Sequence, residues 1–262
     1  MSAEYPTGRR PALIDQRELH NAAILLDVDG TILDIAPRWD AVSVPRALLR
    51  TLDDIRAHIG GALALVSGRS IVDLDRLFAP LHLPAIGGHG AEIRVNADGA
   101  VSMKRPLLLD GELKRRLEGI AERYPGVAAE DKGYSLALHY RMAEERQLDV
   151  IREVFRACTS CPPQSYELLT GKAVIEVKAA GFSKGSAVRE LMTYPPFVGR
   201  RPIFFGDDVT DESVFAIMPE LHGIAVSVGR RIPGALDMFE TPSDVRRWLE
   251  MLSDDLHQQI HD

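Results

Sequence analysis

Short apolar runs alternate with segments of helical periodicity in the first hundred residues and again after residue 182. The runs that predict strands are bounded by turn residues and cover 22–27, 62–66, 84–87, 202–206 and 223–228. Between the first two runs, residues 45–59 begin with Pro45 and repeat leucine and isoleucine at helical spacing, and residues 70–79 show the same periodicity. Parallel strands joined by crossover helices have this alternation, so we predict an α/β fold with a doubly wound, Rossmann-like parallel sheet.

The pattern changes after residue 90. Residues 91–103 predict two strands around the Asp98-Gly99 turn. The following stretch predicts two helices separated by two strand pairs, 127–131 with 134–140 and 165–169 with 173–178. A helix–strand–strand unit that occurs twice can form a small open sheet of its own. We therefore predict a core domain in two parts, residues 1–102 and 182–262. An inserted α+β domain lies between them at residues 103–181.

Composition and charge restrict the class of partner. The chain has 262 residues, of which 45% are hydrophobic and 26% charged, as in ordinary globular proteins rather than disordered ones. The net charge of −7 argues against nucleic acid and anionic membranes as partners, because both favour clustered Lys and Arg. No apolar run reaches the length of a signal-peptide core or of a membrane-spanning helix, so we expect a cytoplasmic protein.

The two cysteines, Cys158 and Cys161, form a single CxxC pair. One such pair supplies at most half of a structural zinc site, and two cysteines are too few for a disulfide framework. We therefore infer no metal from this pair and regard it as incidental in a reducing compartment.

Polar residues follow the apolar runs at the points where the predicted strands end. Ligands of open α/β sheets bind at the carboxyl ends of the strands. The polar residues that fall there are Asp27 and Asp29, Ser67 with Arg69, Lys184 at a helix start, and Asp207, Asp208 and Asp211. We expect these side chains to meet at one edge of the sheet.

Each of these residues also has an ordinary structural interpretation. Asp-Gly after a strand is usually a turn, Ser67 alone is typical of a turn, and Lys184 alone is typical of a solvated first helical turn. The GDDVTDE segment can be a capping box with Thr210 as the cap. An EF-hand calcium loop is excluded, because Thr31 and Arg38 occupy positions that require Asp or Asn and Glu.

Taken together, the carboxylates predict a metal site. Four or five carboxylates at one sheet edge repel one another and are driven to protonate unless a cation is bound. Hard oxygen ligands with room for water and phosphate suit Mg²⁺. One Asp can then attack phosphorus, while the second Asp, two residues on, protonates the leaving alcohol and later deprotonates water. Lys184 and the Ser67 hydroxyl would hold the phosphoryl oxygens.

The motifs that carry this chemistry resemble a known superfamily. DxDGT, Ser-Gly-Arg, a Lys before a helix and GDDxTDE are similar to the four motifs of the haloacid dehalogenase superfamily of phosphatases. Segments such as GGHGAEIR, KGYSLALHYR and GKAVIEVK further resemble bacterial trehalose-6-phosphate phosphatases over nearly the whole chain. The resemblance implies a haloacid dehalogenase core with an inserted α+β cap domain, which would cover the site and select the sugar.

The resemblance also implies roles for individual residues. The catalytic residues would be the nucleophile Asp27, the acid and base Asp29, and the phosphoryl-binding Ser67 and Lys184. The Mg²⁺ ligands would be the side chains of Asp27 and Asp207 and the backbone carbonyl of Asp29, with Asp208 and Asp211 in a supporting role.

A second set of residues is implied for the sugar. The cap residues that hydrogen-bond the distal glucose would be Glu130, Lys132 and Glu176, which can otherwise be ordinary surface charge at strand ends. The core side of the sugar pocket would be lined by Arg69, His89, Gly90 and Glu92. His139 and Arg141 alternate in SLALHYR, and the sequence leaves open which side of the sheet they face.

The resemblance implies a Mg²⁺-dependent phosphatase of trehalose biosynthesis, which hydrolyses trehalose 6-phosphate through an aspartyl-phosphate. Two alternatives stay open. One is a related phosphatase acting on sucrose 6-phosphate or a mannosyl phosphate, and the other is a phospho-accepting signalling module, which would lack the second Asp and the cap. We expect a monomer whose partner is a small-molecule sugar phosphate, with no binding of nucleic acid or membranes. The resemblance does not explain Cys158 and Cys161.

Overall fold

A computed structural model describes residues 19, 21–35, 42–103, 108–159, 162, 165–171 and 173–258. The chain separates into two compact units. Met1–Ser102 with Ser183–Asp262 form the first, and Met103–Phe182 form the second. The second unit spans nearly the residues predicted for the inserted domain, whose status as an independently folding domain stays a prediction.

Twelve strands and seven α-helices lie within the described residues. The strands are β1 Ala22–Leu26, β2 Leu63–Val66, β3 Ala85–Gly87, β4 Glu92–Arg94, β5 Ser102–Met103, β6 Ala128–Asp131, β7 Ser135–His139, β8 Tyr166–Gly171, β9 Val174–Ala179, β10 Arg201–Gly206, β11 Ile224–Val228 and β12 Asp237–Phe239. The helices are α1 Arg46–His58, α2 Ile71–Phe78, α3 Gly111–Arg123, α4 Gln147–Cys158, α5 Lys184–Leu191, α6 Glu212–Phe215 and α7 Pro242–Gln258.

The first unit is built on an eight-stranded sheet in the order β12-β11-β10-β1-β2-β3-β4-β5. The pairs from β12 to β3 are parallel, and β4 pairs with β3 in the antiparallel direction. The chain leaves β1 toward β2 on one side and later adds β10 on the other, so the strand order reverses at β1. Ligands of such sheets bind at the carboxyl ends of the strands at this switch point. The predicted α/β fold is confirmed.

The central strands are buried along their length because helices flank the sheet. Every residue of β1, β2 and β11 is buried, as is all of β10 after Arg201. Continuous apolar runs are typical of parallel sheets covered on both faces. Each of the five predicted core strands therefore has a counterpart in the structure whose bounds differ by about one residue at an end.

Two elements of the first unit, β12 and α7, were not among the predicted ones. Helix α7 packs against α1 and buries a complete helical stripe, Val245, Trp248, Leu249, Leu252 and Leu256. The spacing of these residues fits an amphipathic helix, so the signal for α7 was present. Strand β12 has three residues and carries too short a pattern to be recognised.

The second unit is a four-stranded antiparallel sheet in the order β6-β7-β9-β8. Helices α3 and α4 cover one face, where Leu136 and Leu138 of β7 and Ile175 and Val177 of β9 join their apolar residues in one core. Because side chains alternate along a strand, the residues between these four apolar residues point to the opposite face. Glu130 is in register with Ala137, which is in register with Glu176, so both glutamates lie on that second face.

Candidate active site

The loop after β1 places two carboxylates at the switch point. The backbone N–H of Asp27 donates to the Phe205 carbonyl of β10 (3.0 Å). Beyond Asp29 the chain turns at Gly30, whose φ of +89° disfavours any residue with a side chain. A Cβ atom at Gly30 would also lie 2.2 Å from Oδ2 of Asp207. Both the backbone and the close approach of Asp207 therefore require the glycine of DxDGT.

Each oxygen of the Asp27 carboxylate accepts a hydrogen bond. The Thr31 hydroxyl donates to Oδ2 (2.9 Å), and the Lys184 ammonium donates to Oδ1 (2.7 Å). Lys184 is the first residue of α5, and the side chain of Ser183 caps this helix by accepting from the backbone N–H of Ser186. The two donors fix the plane of the carboxylate at the end of β1.

Asp211 holds Lys184 from the other side. Its Oδ1 accepts from the Lys184 ammonium (2.7 Å), and its Oδ2 accepts from the backbone N–H groups of Asp207 (3.0 Å) and Asp208 (3.1 Å). The segment after β10 forms a capping box at the start of a short 3₁₀ segment. Its N-cap residue is Asp208, so the prediction of Thr210 as the cap is wrong. Asp27, Asp207, Asp211 and Lys184 are all buried, and we call them the carboxylate cluster.

Burial and mutual repulsion control the ionisation of the carboxylate cluster. Burial raises the pKa of Asp27; the Lys184 ammonium opposes this shift, and Asp211 and Asp207 add to it, so the pKa ends well above its ordinary value. Burial alone would lower the pKa of Lys184, but Asp211 and Asp27 together outweigh it and raise that pKa. Lys184 is therefore held as a cation, and its charge offsets only part of the effect of burial and of the neighbouring carboxylates on Asp27.

The carboxylate cluster fits a divalent cation. Asp27, Asp207 and Asp211 each offer an oxygen, and the three oxygens lie within 4.8 Å of one another. Hard oxygen donors with an excess of negative charge suit Mg²⁺. Asp27 and Asp207 of this group are the two predicted side-chain ligands, and Asp211 was predicted in a supporting role. The side chain of Asp29 is outside this group, and the role predicted for its backbone carbonyl stays a prediction.

Ser67 and Arg69 follow β2, next to β1 in the sheet. Ser67 is buried, and its hydroxyl oxygen accepts from the backbone N–H of Arg69 (3.1 Å). The Arg69 guanidinium makes a two-point contact with the Asp29 carboxylate, at 2.6 Å and 2.7 Å. Arg69, which was predicted to line the sugar pocket, is thus also the partner of the predicted acid and base. Two-point guanidinium–carboxylate contacts fix orientation as well as charge.

The GGHGAE loop braces the loops that carry the site. The backbone N–H of His89 donates to the Ser67 carbonyl (3.0 Å). A Cβ at Gly90 would lie 2.3 Å from the Ser183 carbonyl oxygen, so only glycine allows this approach to the start of α5. Glu92 accepts from the backbone N–H of Ile71 (2.6 Å) at the start of α2, and burial raises the pKa of Glu92. The structure therefore gives His89, Gly90 and Glu92 supporting contacts, and their predicted contact with sugar stays a prediction.

A second polar cluster lies on the helix-free face of the second unit. Lys132 Nζ is 3.4 Å from Oε2 of Glu176 and 3.9 Å from Oε2 of Glu130. His139 Nε2 is 2.9 Å from the same Glu130 oxygen, which answers the question that the sequence left open about its orientation. We call Glu130, Lys132, His139 and Glu176 the sheet-face cluster. The three residues predicted to bind the distal glucose are thus close together, and Arg141 begins a short 3₁₀ segment beyond β7.

Comparison with known proteins identifies the family. The family model for trehalose-phosphatase matches residues 25–233. The chain belongs to the trehalose-phosphatase family. Trehalose-6-phosphate phosphatase of Escherichia coli is 39% identical over 237 residues, covering 90% of this chain and 88% of its own. A Sinorhizobium fredii protein named probable trehalose-phosphate phosphatase is 40% identical over 226 residues, covering 86% of this chain and 84% of its own.

Solved structures agree on the fold of this trehalose-phosphatase family member. The C-terminal domain of C. albicans trehalose-6-phosphate phosphatase aligns with a TM-score of 0.77 at 20% identity, covering 92% of this chain and 97% of that domain. The fold is that of phosphatases of the haloacid dehalogenase superfamily, and the predicted resemblance is confirmed. Membership also confirms the predicted enzyme class, a phosphoric monoester hydrolase.

Lys178 is a buried lysine that was not among the predicted site residues. Its ammonium donates to the Phe182 carbonyl (2.6 Å), contacts Oε2 of Glu167 (2.8 Å) and lies 4.1 Å from the centre of the Phe182 ring. Lys178 follows Val177 in the β9 alternation, so its side of the sheet was predictable although its partners were not.

Two further predictions concern cysteine and membranes. Cys158 is buried in the core of the second unit, and Cys161 lies outside the described residues. Within the part of the chain that the structure describes, no helix combines the length and apolar character needed to cross a membrane.

Proposed function

We propose that the chain hydrolyses trehalose 6-phosphate to trehalose and inorganic phosphate, with Mg²⁺ and by way of a phosphoryl group carried on Asp27. The observation that supports the chemistry is the buried carboxylate cluster at the switch point of the sheet. The substrate is taken from the Escherichia coli relative, which is named for trehalose 6-phosphate.

Asp27 is the proposed nucleophile. One of its carboxylate oxygens bonds to phosphorus while the bond from phosphorus to the sugar oxygen breaks, and Asp29 gives that oxygen a proton. Asp29 then takes a proton from water, whose oxygen attacks phosphorus and releases Asp27 and inorganic phosphate. The hydrogen bond from Thr31 to Asp27 (2.9 Å) keeps the carboxylate in one orientation through both halves of the reaction.

Lys184 and Ser67 bind the phosphoryl oxygens in this proposal. Lys184 Nζ is 2.7 Å from the nucleophile, so its charge is fixed where the phosphoryl group arrives. Mg²⁺, held by Asp27, Asp207 and the Asp29 carbonyl, would when bound offset the repulsion between the carboxylates and the phosphate. Asp211 keeps Lys184 in place and supports the metal ligands through its contacts with the Asp207 and Asp208 backbone.

The sugar is proposed to be read by residues outside the carboxylate cluster. Glu130, Lys132 and Glu176 bind the distal glucose, because a carboxylate accepts from hydroxyls and an ammonium donates to them. The core-side residues proposed for the same purpose are Arg69, His89, Gly90 and Glu92. Since Arg69 also holds Asp29 at 2.6 Å, sugar hydroxyls that engage the guanidinium would release Asp29 toward the leaving oxygen.

Phosphate release from three esters tests the proposal. Trehalose 6-phosphate, sucrose 6-phosphate and glucose 6-phosphate are each incubated with the chain, with Mg²⁺ or with EDTA. We expect metal-dependent turnover of the trehalose ester with a kcat/KM at least about tenfold above the other two. Metal-dependent turnover of another ester would retain the chemistry at Asp27 and contradict the proposed sugar. Equal turnover in EDTA would contradict the Mg²⁺ requirement.

The signalling alternative is tested by counting turnovers. A phospho-accepting module holds one phosphoryl group per chain, whereas the proposed enzyme releases many phosphates per chain because Asp29 supplies a base for water.

A cytoplasmic monomer without nucleic-acid or membrane partners remains part of the proposal. Light scattering of the purified chain measures its mass, and a mass of two chains would contradict the monomer.

A further inference from the structure

His139 contacts a residue of the sheet-face cluster that the sugar proposal uses. It ends β7, in register with Ala128 of β6, and Glu130 lies two residues further along β6. The two side chains are therefore diagonal neighbours on the helix-free face, where long side chains can meet. The distance from His139 Nε2 to Glu130 Oε2 is 2.9 Å, within hydrogen-bond range.

The direction of this hydrogen bond follows from its acceptor. A carboxylate oxygen only accepts, so Nε2 of His139 carries the hydrogen whether the ring is neutral or charged. His139 and Lys132 both approach Oε2 of Glu130, at 2.9 Å and 3.9 Å. Oε1 of Glu130 takes no part in these contacts and is the oxygen available to a ligand hydroxyl.

The same contact affects Lys132. Lys132 lies between two carboxylates, nearer to Glu176 (3.4 Å) than to Glu130 (3.9 Å). Without the imidazole, Oε2 of Glu130 would have the Lys132 ammonium as its nearest donor in this cluster, and the ion pair between them, now 3.9 Å long, would shorten. Ligand hydroxyls would then have to break that ion pair before either group could bind them.

We propose that His139 is a positioning residue for sugar recognition, holding Glu130 through one carboxylate oxygen so that the other oxygen faces sugar hydroxyls. The proposal rests on the proposed function, because it assumes that the sheet-face cluster binds the sugar of a phosphate ester. His139 does not touch the substrate in this proposal and acts through Glu130.

Two substitutions at His139 separate a positioning role from a structural one. His139→Leu removes the donor and keeps an apolar side chain of similar bulk, whereas His139→Gln keeps an N–H donor near the position of Nε2. We expect His139→Leu to lower kcat/KM for trehalose 6-phosphate about tenfold, mainly through KM, as for loss of one hydrogen bond to a charged group. His139→Gln should recover most of that loss.

p-Nitrophenyl phosphate reports on the carboxylate cluster alone, since it carries no sugar. Both His139 variants should hydrolyse it at the wild-type rate. His82→Leu is the matched control, because the His82 ring also contacts a carboxylate, that of Asp75 (3.4 Å), in the first unit. This variant should keep wild-type kcat/KM on both esters.

A double-mutant cycle with Glu130→Gln completes the test. If His139 acts through Glu130, His139→Leu should have little further effect on kcat/KM in the Glu130→Gln background. Wild-type kcat/KM for His139→Leu, an equal loss on p-nitrophenyl phosphate, or fully additive effects would each overturn the proposal. If the wild-type chain prefers another sugar phosphate, the proposed substrate fails, and the same ratios measured on that ester decide the role of His139.

Discussion

The two polar clusters of this chain differ in how their charges balance. The carboxylate cluster has three acidic groups and one ammonium, all buried. The sheet-face cluster has two carboxylates, one ammonium and one imidazole, and most of its members are half-buried. An excess of buried negative charge is tolerable only if a further cation or protons are bound. A cluster whose charges nearly balance needs no bound ion. The hydrogen bonds between its members can be replaced by hydrogen bonds to the hydroxyl groups of a ligand.

The clusters also differ in how the backbone supports them. Members of the carboxylate cluster come from loops after β1 and β10 and from the first residue of α5, so contacts such as Asp27–Lys184 join residues 157 positions apart. The sheet-face cluster comes from β6, β7 and β9 and the turn beside them, where register alone sets the spacing. The first arrangement suits chemistry that requires one fixed geometry, and the second suits recognition that varies with the ligand.

Replacing the proposed nucleophile, Asp27, should have the largest effect. Asp27→Asn keeps the shape of the side chain but removes the charge that attacks phosphorus, so kcat on any ester should fall by about 10⁴-fold or more. Stability should be kept, because burial already favours the neutral form of Asp27. Phosphate release and thermal unfolding of the same preparation check both points. Substantial activity in this variant would remove Asp27 as the nucleophile.

Removing the lysine from each cluster compares their charge balance directly. Lys184→Met leaves two buried carboxylates without their shared cation, so the free energy of unfolding without Mg²⁺ should fall by about 3–5 kcal/mol. Lys132→Met should cost less than about 1 kcal/mol, because its partners are 3.4 Å and 3.9 Å away in a less buried cluster. Urea unfolding of both variants measures the difference. Equal losses in the free energy of unfolding for the two variants would contradict the difference in charge balance between the two clusters.

Two glycines with positive φ sharpen the comparison further. At Gly30 (φ +89°) and at Gly133 (φ +84°), substitution by alanine places a Cβ on a left-handed backbone, which costs about 1 kcal/mol at either position. A Cβ at Gly133 meets nothing within 4 Å, whereas at Gly30 it meets the Asp207 carboxylate at 2.2 Å. We expect Gly133→Ala to keep kcat on p-nitrophenyl phosphate and Gly30→Ala to lose at least about tenfold. Thermal unfolding checks that both variants fold, and equal kcat values would contradict the tight packing around Asp207.

The meeting of polar residues at one sheet edge could be predicted from the sequence because topology determines it. Asp27, Ser67 and Asp207 each follow directly after an apolar run, and parallel strands bring their carboxyl ends to one edge. The contacts within that edge were not predictable, because they depend on side-chain rotamers. The pairing of Arg69 with Asp29 and that of Glu92 with the Ile71 N–H are examples.

The orientation of His139 was within reach of the sequence. Leu136 and Leu138 belong to the helix-covered core, and alternation then places His139 on the other face. What the sequence lacked was a sign of where β7 ends. Arg141, two residues further on, lies beyond the strand in a 3₁₀ segment, so alternation does not apply to it.

The nested order of the two units has a consequence for synthesis of the chain. Strand β1 pairs with β10 along its whole length, yet the second unit, Met103–Phe182, is translated between them. The strand pairs of that unit all lie within its own residues, so it can complete its sheet while β1 still has one unpaired edge. Unpaired strand edges promote aggregation, so the interval before Arg201–Gly206 leaves the ribosome is when a nascent chain most needs a chaperone. The carboxylate cluster comes together only after that interval, when Lys184, Asp207 and Asp211 join Asp27.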